Sequence, residues 1–299
     1  DLCLSCKGCS SDCPTGVDMA AFKSEVLHQS YRRRLRPASH YSLGWLPRWA
    51  RLASLAPRVI NSTARLPFVG HAGLAVAGAD RRRTIPPLAP LTFRKWFSDN
   101  VSPAIPPAVT PDAPGDEVLL FVDTFTNYFS PEIGIATVGV LQDAGYAPRL
   151  TAKPQCCGLT WISTGQLDAA KRILGRTVAA LQPFAERGVP IVGMEPSCAA
   201  VLRSDAGELL DGDGAAHVST ATRTLAEILT ERGWQPPPLH GQQIVAQPHC
   251  HHHSVMGWGP DAKLLCNAGA DLTRLGGCCG LAGNFGVEKG HYEVSVAVA

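Results

Sequence analysis

Short apolar runs alternate with longer amphipathic segments in the second part of the chain. The runs at 117–123, 190–194 and 243–247 are compact and are closed by Pro, Gly or polar residues, which predicts buried strands. Segments that open near Ser, Thr or Pro and close near Gly predict helices at 131–144, 166–181, 220–232 and 260–268. Strands that alternate with helices predict an α/β fold, with a parallel sheet and flanking helices.

Before this region the pattern is less regular. Residues 1–30 are rich in cysteine, and residues 31–115 form a basic stretch rich in Pro and Trp, for which short helices broken by Pro are predicted. We place the α/β domain at 116–299. A repeated motif described below divides it into halves at about 116–235 and 236–299.

Composition predicts an ordinary folded protein, because 45% of its 299 residues are hydrophobic and 17% are charged. The net charge of +2 hides an uneven distribution, since residues 1–95 hold fifteen Lys and Arg against five Asp and Glu. The basic stretch is interpreted in two ways: as a surface for an anionic membrane or a quinone-bearing partner, or as a connector with solvated arginines. We expect no nucleic-acid partner, because no recognition helix or aromatic platform accompanies the arginines. No apolar stretch approaches the about eighteen residues of a membrane span.

The cysteines have metal-ligand spacing. Cys3, Cys6, Cys9 and Cys13, followed by Pro14, follow the pattern C-x₂-C-x₂-C-x₃-C-P, which is the bacterial ferredoxin run that binds 4Fe–4S clusters. Soft thiolates suit iron, and a zinc knuckle is the alternative. In two-cluster ferredoxins the fourth cysteine ligates the other cluster, so we expect the upstream half of this segment to be missing and the chain to be a fragment.

The sequence Cys-Cys-Gly-Leu occurs twice, at 156–159 and at 278–281, and each copy follows a predicted strand and a polar loop. Adjacent cysteines are poorly suited to a mutual disulfide, and the repeat indicates an internal duplication that binds metal at the carboxyl ends of strands.

These features resemble the duplicated CCG module of heterodisulfide reductases and of the iron–sulfur subunits of glycolate and glycerol-3-phosphate dehydrogenases. Together with the ferredoxin run, nearly the whole chain resembles the C-terminal part of fused FAD-linked oxidases of the D-lactate and D-2-hydroxyglutarate dehydrogenase type. The resemblance implies a duplicated CCG domain preceded by a small ferredoxin-like segment. It implies these thiolate ligands: Cys3, Cys6, Cys9, Cys13, Cys156, Cys157, Cys198, Cys250, Cys278 and Cys279.

Two positions depart from the family pattern. Thr124 stands where the first copy has an upstream cysteine, and Val201 stands where a second downstream cysteine is expected. The second copy reaches the end of the chain without a downstream cysteine, so we expect truncation there too. Three ligands remain in each copy.

The implied function is electron transfer in a flavin-linked 2-hydroxyacid dehydrogenase, from FAD to a quinone or another electron carrier. FAD and the substrate site are expected on a flavin domain upstream, in the same or a partner chain, because no phosphate loop or dinucleotide fingerprint occurs here. No catalytic residue is assigned. The expected location is cytoplasmic, with peripheral contact at the inner face of the membrane.

Several polar residues accompany the predicted ligands. Cys250 lies among histidines, and on an extended loop only alternate neighbours share a site, so one of them is predicted to ligate and the others to be exposed: His249, His251, His252 and His253. Asp123 and Glu195 are predicted to end strands near the site. Two roles are open for them: proton donation, or orientation of the ligands. Cys266 is predicted to be a buried helix residue.

Two alternatives stay open. One is a thiol or heterodisulfide reductase at the Cys-Cys-Gly site, as the reductase relatives imply. The other is a zinc-stabilised interaction module, since zinc or a non-cubane iron–sulfur cluster are both candidates for that site.

Overall fold

A computed structural model describes residues 3–101, 116–281 and 283–299. The largest sheet has four parallel strands in the order β2-β1-β3-β4: β1 (Glu117–Phe121), β2 (Ala147–Arg149), β3 (Ile191–Gly193) and β4 (Thr222–Arg223). Leu119 pairs with Ile191, and Ile191 pairs with Thr222 on its other side. The predicted α/β fold with a parallel sheet is confirmed.

A second, smaller sheet contains β5 (Gln243–Ala246) and β6 (Asp271–Arg274), which are also parallel. Each sheet has the same order of elements: a strand, helices, a parallel neighbouring strand, and then Cys-Cys-Gly. Parallel neighbours require a crossover connection, and here helices provide it.

Helices account for most of the remaining regular structure in the described residues. They are α1 (Gly8–Asp12), α2 (Met19–Ser30), α3 (Ala38–Ser42), α4 (Leu46–Ala53), α5 (Pro57–Ala64), α6 (Pro67–Val76), α7 (Phe93–Asn100), α8 (Thr124–Tyr128), α9 (Pro131–Asp143), α10 (Leu159–Ser163), α11 (Leu167–Glu186), α12 (Pro196–Ala200), α13 (Ala206–Leu209), α14 (Asp213–Ala221), α15 (Leu225–Arg232), α16 (Gly259–Asn267) and α17 (Tyr292–Val298). Two π-helical turns lie at Val201–Asp205 and His252–Met256, and a 3₁₀ turn lies at Phe285–Val287. None of these helices is both long and apolar enough to span a membrane, among the residues that the structure describes.

The predicted helices at 131–144 and 260–268 correspond closely to α9 and α16. The helix predicted from 166 continues past 181, through Pro183, to Glu186. The helix predicted at 220–232 is wrong at its start, because β4 intervenes and α15 begins only after Thr224. There the Thr224 side chain and Glu227 form a capping box, which stabilises a new helix start.

The four-stranded sheet is buried on both faces, because successive side chains of a strand point to opposite sides. From β1, Leu119 and Phe121 pack into a cluster with α11, whose Leu181 is fully buried. Val118 and Leu120 pack into the opposite cluster with α7, α9 and α15. Each fully buried Leu contributes about 2 kcal/mol of hydrophobic stabilisation.

The basic stretch folds into short helices, as predicted. α4, α5 and α6 each have Pro in the first turn, where the missing N–H of Pro breaks no helical hydrogen bond. Several hydrogen bonds attach this stretch to the α/β domain: for example, Arg36 donates to the carbonyl oxygens of Thr164 and Gly165, and the Asp80 N–H donates to the carbonyl oxygen of Val287. The boundary predicted at 115 lies outside the described residues.

Candidate metal centres and relatives

The two Cys-Cys-Gly segments adopt the same local geometry. Both glycines have a positive φ, +81° at Gly158 and +69° at Gly280, which favours Gly over other residues. In each turn the glycine N–H points at the sulfur of the first cysteine, 3.5 Å from Cys156 Sγ and 3.3 Å from Cys278 Sγ. Such N–H groups stabilise a thiolate, so both turns are suited to present a negatively charged sulfur.

The first centre brings together Cys156, Cys157 and Cys198. The sulfurs of Cys157 and Cys198 lie 2.9 Å apart, and both side chains are buried. α12 positions Cys198, because the Glu195 carboxylate caps this helix and accepts the Cys198 N–H at 2.7 Å. The structure therefore brings Cys198 to the adjacent pair Cys156 and Cys157, from which it is distant in the sequence.

Two carboxylates line this centre. Asp123 is buried and caps α8 by accepting the N–H groups of Phe125 and Thr126. Burial raises the pKa of Asp123, and the charge of Glu195 raises it further. Asp123 and Glu195, which were predicted to end strands, thus lie beside the cysteines, where they cap α8 and α12.

The thiols of this centre resist deprotonation. The hydrogen bond with Cys157 and burial raise the pKa of Cys156 well above its ordinary value. The Cys157 thiol favours the thiolate of Cys198, but burial and the charges of Glu195 and Asp123 outweigh it and raise the pKa of Cys198. A bound cation replaces the thiol protons and offsets the repulsion between the thiolates and the nearby carboxylates. Metal binding and cysteine ionisation are usually coupled in this way.

Thr124 and Val201 bring no thiol to the first centre. Thr124 is the first residue of α8, directly after Asp123, and Val201 is fully buried in the core. The fold therefore brings together the three thiols that the sequence offers for this centre.

The second centre is formed by Cys250, Cys278 and Cys279, and the N-terminal run packs beside it. Burial raises the pKa of Cys250, and the neighbouring thiols of Cys6, Cys279 and Cys278 raise it further. The N-terminal run is held at this place by His251, whose Nε2 lies 2.8 Å from the carbonyl oxygen of Ser5. The ferredoxin-type run and the second Cys-Cys-Gly turn are thus neighbours.

The histidines around Cys250 do not form the exposed extended loop that was predicted. Cys250 begins a helical turn that continues into the π-helical turn, and His251 and His252 are buried. His252 Nε2 lies 3.1 Å from Asp261 Oδ2, while His253 is exposed. The interpretation failed because helical periodicity, not alternation, governs which side chains share a face.

His249 connects the two centres. Its Nε2 lies 3.3 Å from Ser197 Oγ, and Ser197 also donates to Glu195 Oε1 at 2.8 Å. Ser197 precedes Cys198 and His249 precedes Cys250, so one hydrogen bond links residues adjacent to a cysteine of each centre. Ser197 is not among the predicted site residues, although it directly precedes the predicted ligand Cys198.

The N-terminal run contains α1 and contacts Met19, the first residue of α2. Met19 N–H donates to Cys9 Sγ at 3.3 Å, and Cys3 Sγ lies 3.9 Å from the Met19 carbonyl oxygen. Cys13 is exposed, and the Thr15 hydroxyl, 3.0 Å from Cys13 Sγ, lowers the pKa of this thiol. Cys13 is thus more exposed than Cys3, Cys6 and Cys9, which are half-buried.

Lys7, within the run, was also missed. Its ammonium lies 2.6 Å from Asp18 and 3.1 Å from Asp205, and the side chain is 4% exposed. Burial alone lowers the pKa of Lys7, but Asp205 and Asp18 outweigh it and raise the pKa above its ordinary value, so Lys7 carries its charge. Its position between the predicted ligands Cys6 and Cys9 was the feature of the sequence that could have identified it.

The prediction that Cys266 is buried is wrong. Cys266 is exposed on α16, a helix with no buried residue. Leu264 of the same helix packs against the core cluster that includes α15, whereas Cys266 is turned to solvent. Cys266 lies outside both centres.

The donor chemistry fits iron–sulfur clusters: soft thiols, amide donors aimed at sulfur, and glycines that let the backbone approach. In the part of the chain that the structure describes, no three His, Cys, Asp or Glu side chains are placed to hold a single metal ion. A cluster site has a different requirement from a single-ion site. Its thiolates bind different iron atoms and therefore stand farther apart than the ligands of one ion.

Comparisons with known proteins agree with this chemistry. Residues 121–203 match the CCG family, described as a cysteine-rich domain. The chain is 30% identical over 247 residues to the C subunit of anaerobic glycerol-3-phosphate dehydrogenase from Escherichia coli, which covers 80% of this chain and 60% of the relative. It is 26% identical over 310 residues to D-2-hydroxyglutarate dehydrogenase of Pantoea ananatis, which covers 99% of this chain and 29% of the relative.

A third relative is the B subunit of fumarate reductase (CoM/CoB) from Methanothermobacter marburgensis, 24% identical over 189 residues, with 61% of this chain and 36% of the relative covered. No solved structure matches the chain. The chain spans less than two thirds of the length of each of these relatives. The predicted relationship is confirmed: the chain carries a CCG cysteine-rich domain at residues 121–203 and is a homologue of glycerol-3-phosphate and D-2-hydroxyglutarate dehydrogenase proteins.

Proposed function

We propose that the chain is the iron–sulfur electron-transfer portion of an FAD-linked 2-hydroxyacid dehydrogenase. The repeated Cys-Cys-Gly turn, with the same N–H to sulfur contact at Gly158 and Gly280, carries the proposal. The name of the D-2-hydroxyglutarate dehydrogenases, which cover nearly the whole chain, supports the substrate class.

The proposed ligands form three groups. The N-terminal run supplies Cys3, Cys6, Cys9 and Cys13 to 4Fe–4S clusters; the first centre supplies Cys156, Cys157 and Cys198; the second supplies Cys250, Cys278 and Cys279. In this proposal the two centres are the halves of a duplicated CCG module, and the run is a ferredoxin-like segment. The clusters would supply one-electron chemistry, and the role of the protein is to supply the thiolates that hold them.

The proposed order of donors and acceptors rests on the resemblance to FAD-linked oxidases and on the position of the cysteine groups. A flavin domain, in the same or a partner chain, oxidises the hydroxy acid and delivers electrons singly. Clusters held by the run and by the second centre would carry these electrons, and the two adjoin where His251 contacts the Ser5 carbonyl oxygen. A quinone or another electron carrier accepts them.

Metal analysis and electron paramagnetic resonance on anaerobically purified protein test this function. We expect iron, acid-labile sulfide and a reducible cluster signal, and we expect Cys278→Ser or Cys157→Ser to lower the iron content. Cys266→Ser is the matched control, because this exposed thiol belongs to neither centre. Equal iron in all variants, or zinc in place of iron, would contradict the proposal and favour the zinc-stabilised module.

A second candidate function rests on the 2.9 Å approach of Cys157 and Cys198. Two thiols this close can reduce a disulfide substrate: the thiols lose two electrons and two protons and form a disulfide, and the substrate becomes two thiols. Thiol titration decides between the functions. Loss of two thiols per chain on addition of a disulfide, with no iron present, supports reductase activity.

The proposed location is the inner face of the cytoplasmic membrane. Residues 26–79 contain eight Arg and no Lys, Asp or Glu. This stretch also exposes large apolar side chains on α5, α6 and the turn before α5, including Leu55 at 82% and Phe68 at 87%. A basic surface with exposed apolar residues fits an anionic bilayer surface and brings the chain to a membrane quinone.

Vesicle sedimentation tests this location. We expect binding to vesicles with anionic lipids, weakening with salt, and little binding to zwitterionic vesicles. Phe68→Ser should reduce binding, whereas Val245→Ser, an exposed apolar residue on β5, should not. Equal binding by both variants would remove the support for this surface.

A further inference from the structure

Lys7 lies in an unusual place for a lysine. Its side chain is 4% exposed, and its backbone is in the left-handed region with a φ of 61°. Few residues other than Gly adopt this conformation without compensating contacts. Here the compensation is the pair of carboxylates that hold the ammonium, Asp18 at 2.6 Å and Asp205 at 3.1 Å.

The two carboxylates come from different parts of the fold. Asp18 caps α2, next to the N-terminal run, by accepting the N–H groups of Ala20 and Ala21. Asp205 is the last residue of the π-helical turn that follows α12, the helix that carries Cys198. Lys7 therefore joins the run to the CCG domain through a buried ion pair.

Asp205 depends on this lysine. It is 5% exposed, and its second oxygen, Oδ2, is buried without a hydrogen-bond partner among the described residues. Removing one partner of a buried ion pair leaves an uncompensated charge, which is strongly unfavourable. The contact is thus a specific attachment and not a surface ion pair.

The same charges act on any cluster that the run binds. Lys7 follows Cys6 directly in the chain, and its ammonium is shielded from water. A cluster becomes more negative when it accepts an electron, so a nearby cation stabilises the reduced state and a nearby anion destabilises it. In a poorly solvated place these effects are larger than at the surface.

We propose that Lys7, held by Asp18 and Asp205, is a positioning residue that attaches the N-terminal run to the CCG domain and sets the reduction potential of the cluster in the run. This inference rests on the proposed function for the presence of that cluster. Lys7 would act on that cluster through its fixed charge, and the lysine itself is neither oxidised nor reduced.

A redox titration followed by electron paramagnetic resonance tests the charge effect in the full chain. Lys7→Met should lower the potential of the run's cluster, and Asp205→Asn should raise it. The double variant should lie between them, near the wild type. Asp12→Asn is the control, because Asp12 is an exposed carboxylate in the same run, and it should leave the potential unchanged.

A merely structural role gives a different pattern. Loosening of the run shifts both single variants in the same direction and makes the double variant the most affected. That result, or no shift in Asp205→Asn, overturns the proposal. If Lys7→Met does not retain its cluster, Lys7→Arg, which keeps the charge, must retain both the cluster and a potential near that of the wild type.

Hydrogen exchange on the metal-free chain tests the attachment separately from the proposed function. We expect Lys7→Met to speed the exchange of the α1 amides at least tenfold and Asp12→Asn to leave it unchanged. Unchanged exchange in Lys7→Met refutes the attachment. Absence of any cluster in the wild type refutes the proposed function and the potential-setting role, while the exchange result still decides the attachment.

Discussion

Gly280 permits the second Cys-Cys-Gly turn, and its replacement by Ala should destabilise this part of the protein severely. Its φ is +69°, and a Cβ built on it would lie 2.0 Å from the carbonyl oxygen of Ser295. Real Cβ atoms essentially never approach closer than 3.0 Å, so the Ser295 backbone has to move. The Ser295 hydroxyl is meanwhile held by Arg83, which donates to it at 2.6 Å.

The magnitude follows from two costs. A left-handed conformation costs a non-glycine residue about 1–2 kcal/mol. Displacing Ser295 weakens the hydrogen bond from Arg83, and a hydrogen bond to a charged group contributes about 1.5–3 kcal/mol. Gly280→Ala should therefore lower the free energy of unfolding by about 3–5 kcal/mol.

Gly158→Ala is the matched control, since Gly158 occupies the same place in the first turn. Its φ is +81°, but the nearest atom to an added Cβ is the Ala170 oxygen at 3.6 Å, an ordinary contact. Only the backbone cost of about 1–2 kcal/mol applies. Urea unfolding of both variants, with hydrogen exchange to localise the effect, measures the difference. Equal destabilisation of the two variants would refute this reasoning.

Three further predictions concern the rest of the fold. Burial, with Arg36 and Lys23 nearby, lowers the pKa of His40 from 6.5 to about 4, so the unfolded chain binds a proton first as pH falls. Stability from this histidine is complete above about pH 6.5 and is lost on acidification towards pH 4; urea unfolding should show a weaker pH dependence in His40→Gln, and an identical dependence would contradict this. Leu181→Ala, at a fully buried core position, should lower the unfolding free energy by about 2–5 kcal/mol, measured in the same way. Arg36→Lys should lower it by about 1 kcal/mol, because Arg36 donates to two carbonyl oxygens at 2.7 Å, whereas Lys at the exposed Arg34 should change little.

Local sequence patterns were sufficient to predict the strands and helices whose own residues have a distinctive pattern. β1 is a compact apolar strand because both its faces are buried, and α9 starts at a Pro and ends beside Gly145. The short strands β2 and β6 escaped prediction because three or four residues with charged members have no distinctive pattern. Their place is decided by pairing with β1 and β5, which the sequence does not display.

The candidate centres divide in the same way. Cysteine spacing by itself determined the ligands to propose, since spacing of this kind reflects metal chemistry within short loops. Only the tertiary structure decided that Ser5 lies beside His251, that Lys7 reaches Asp205, and that Cys266 is exposed. These outcomes depend on how helices and sheets pack, and packing joins residues that are far apart in the chain and share no local pattern.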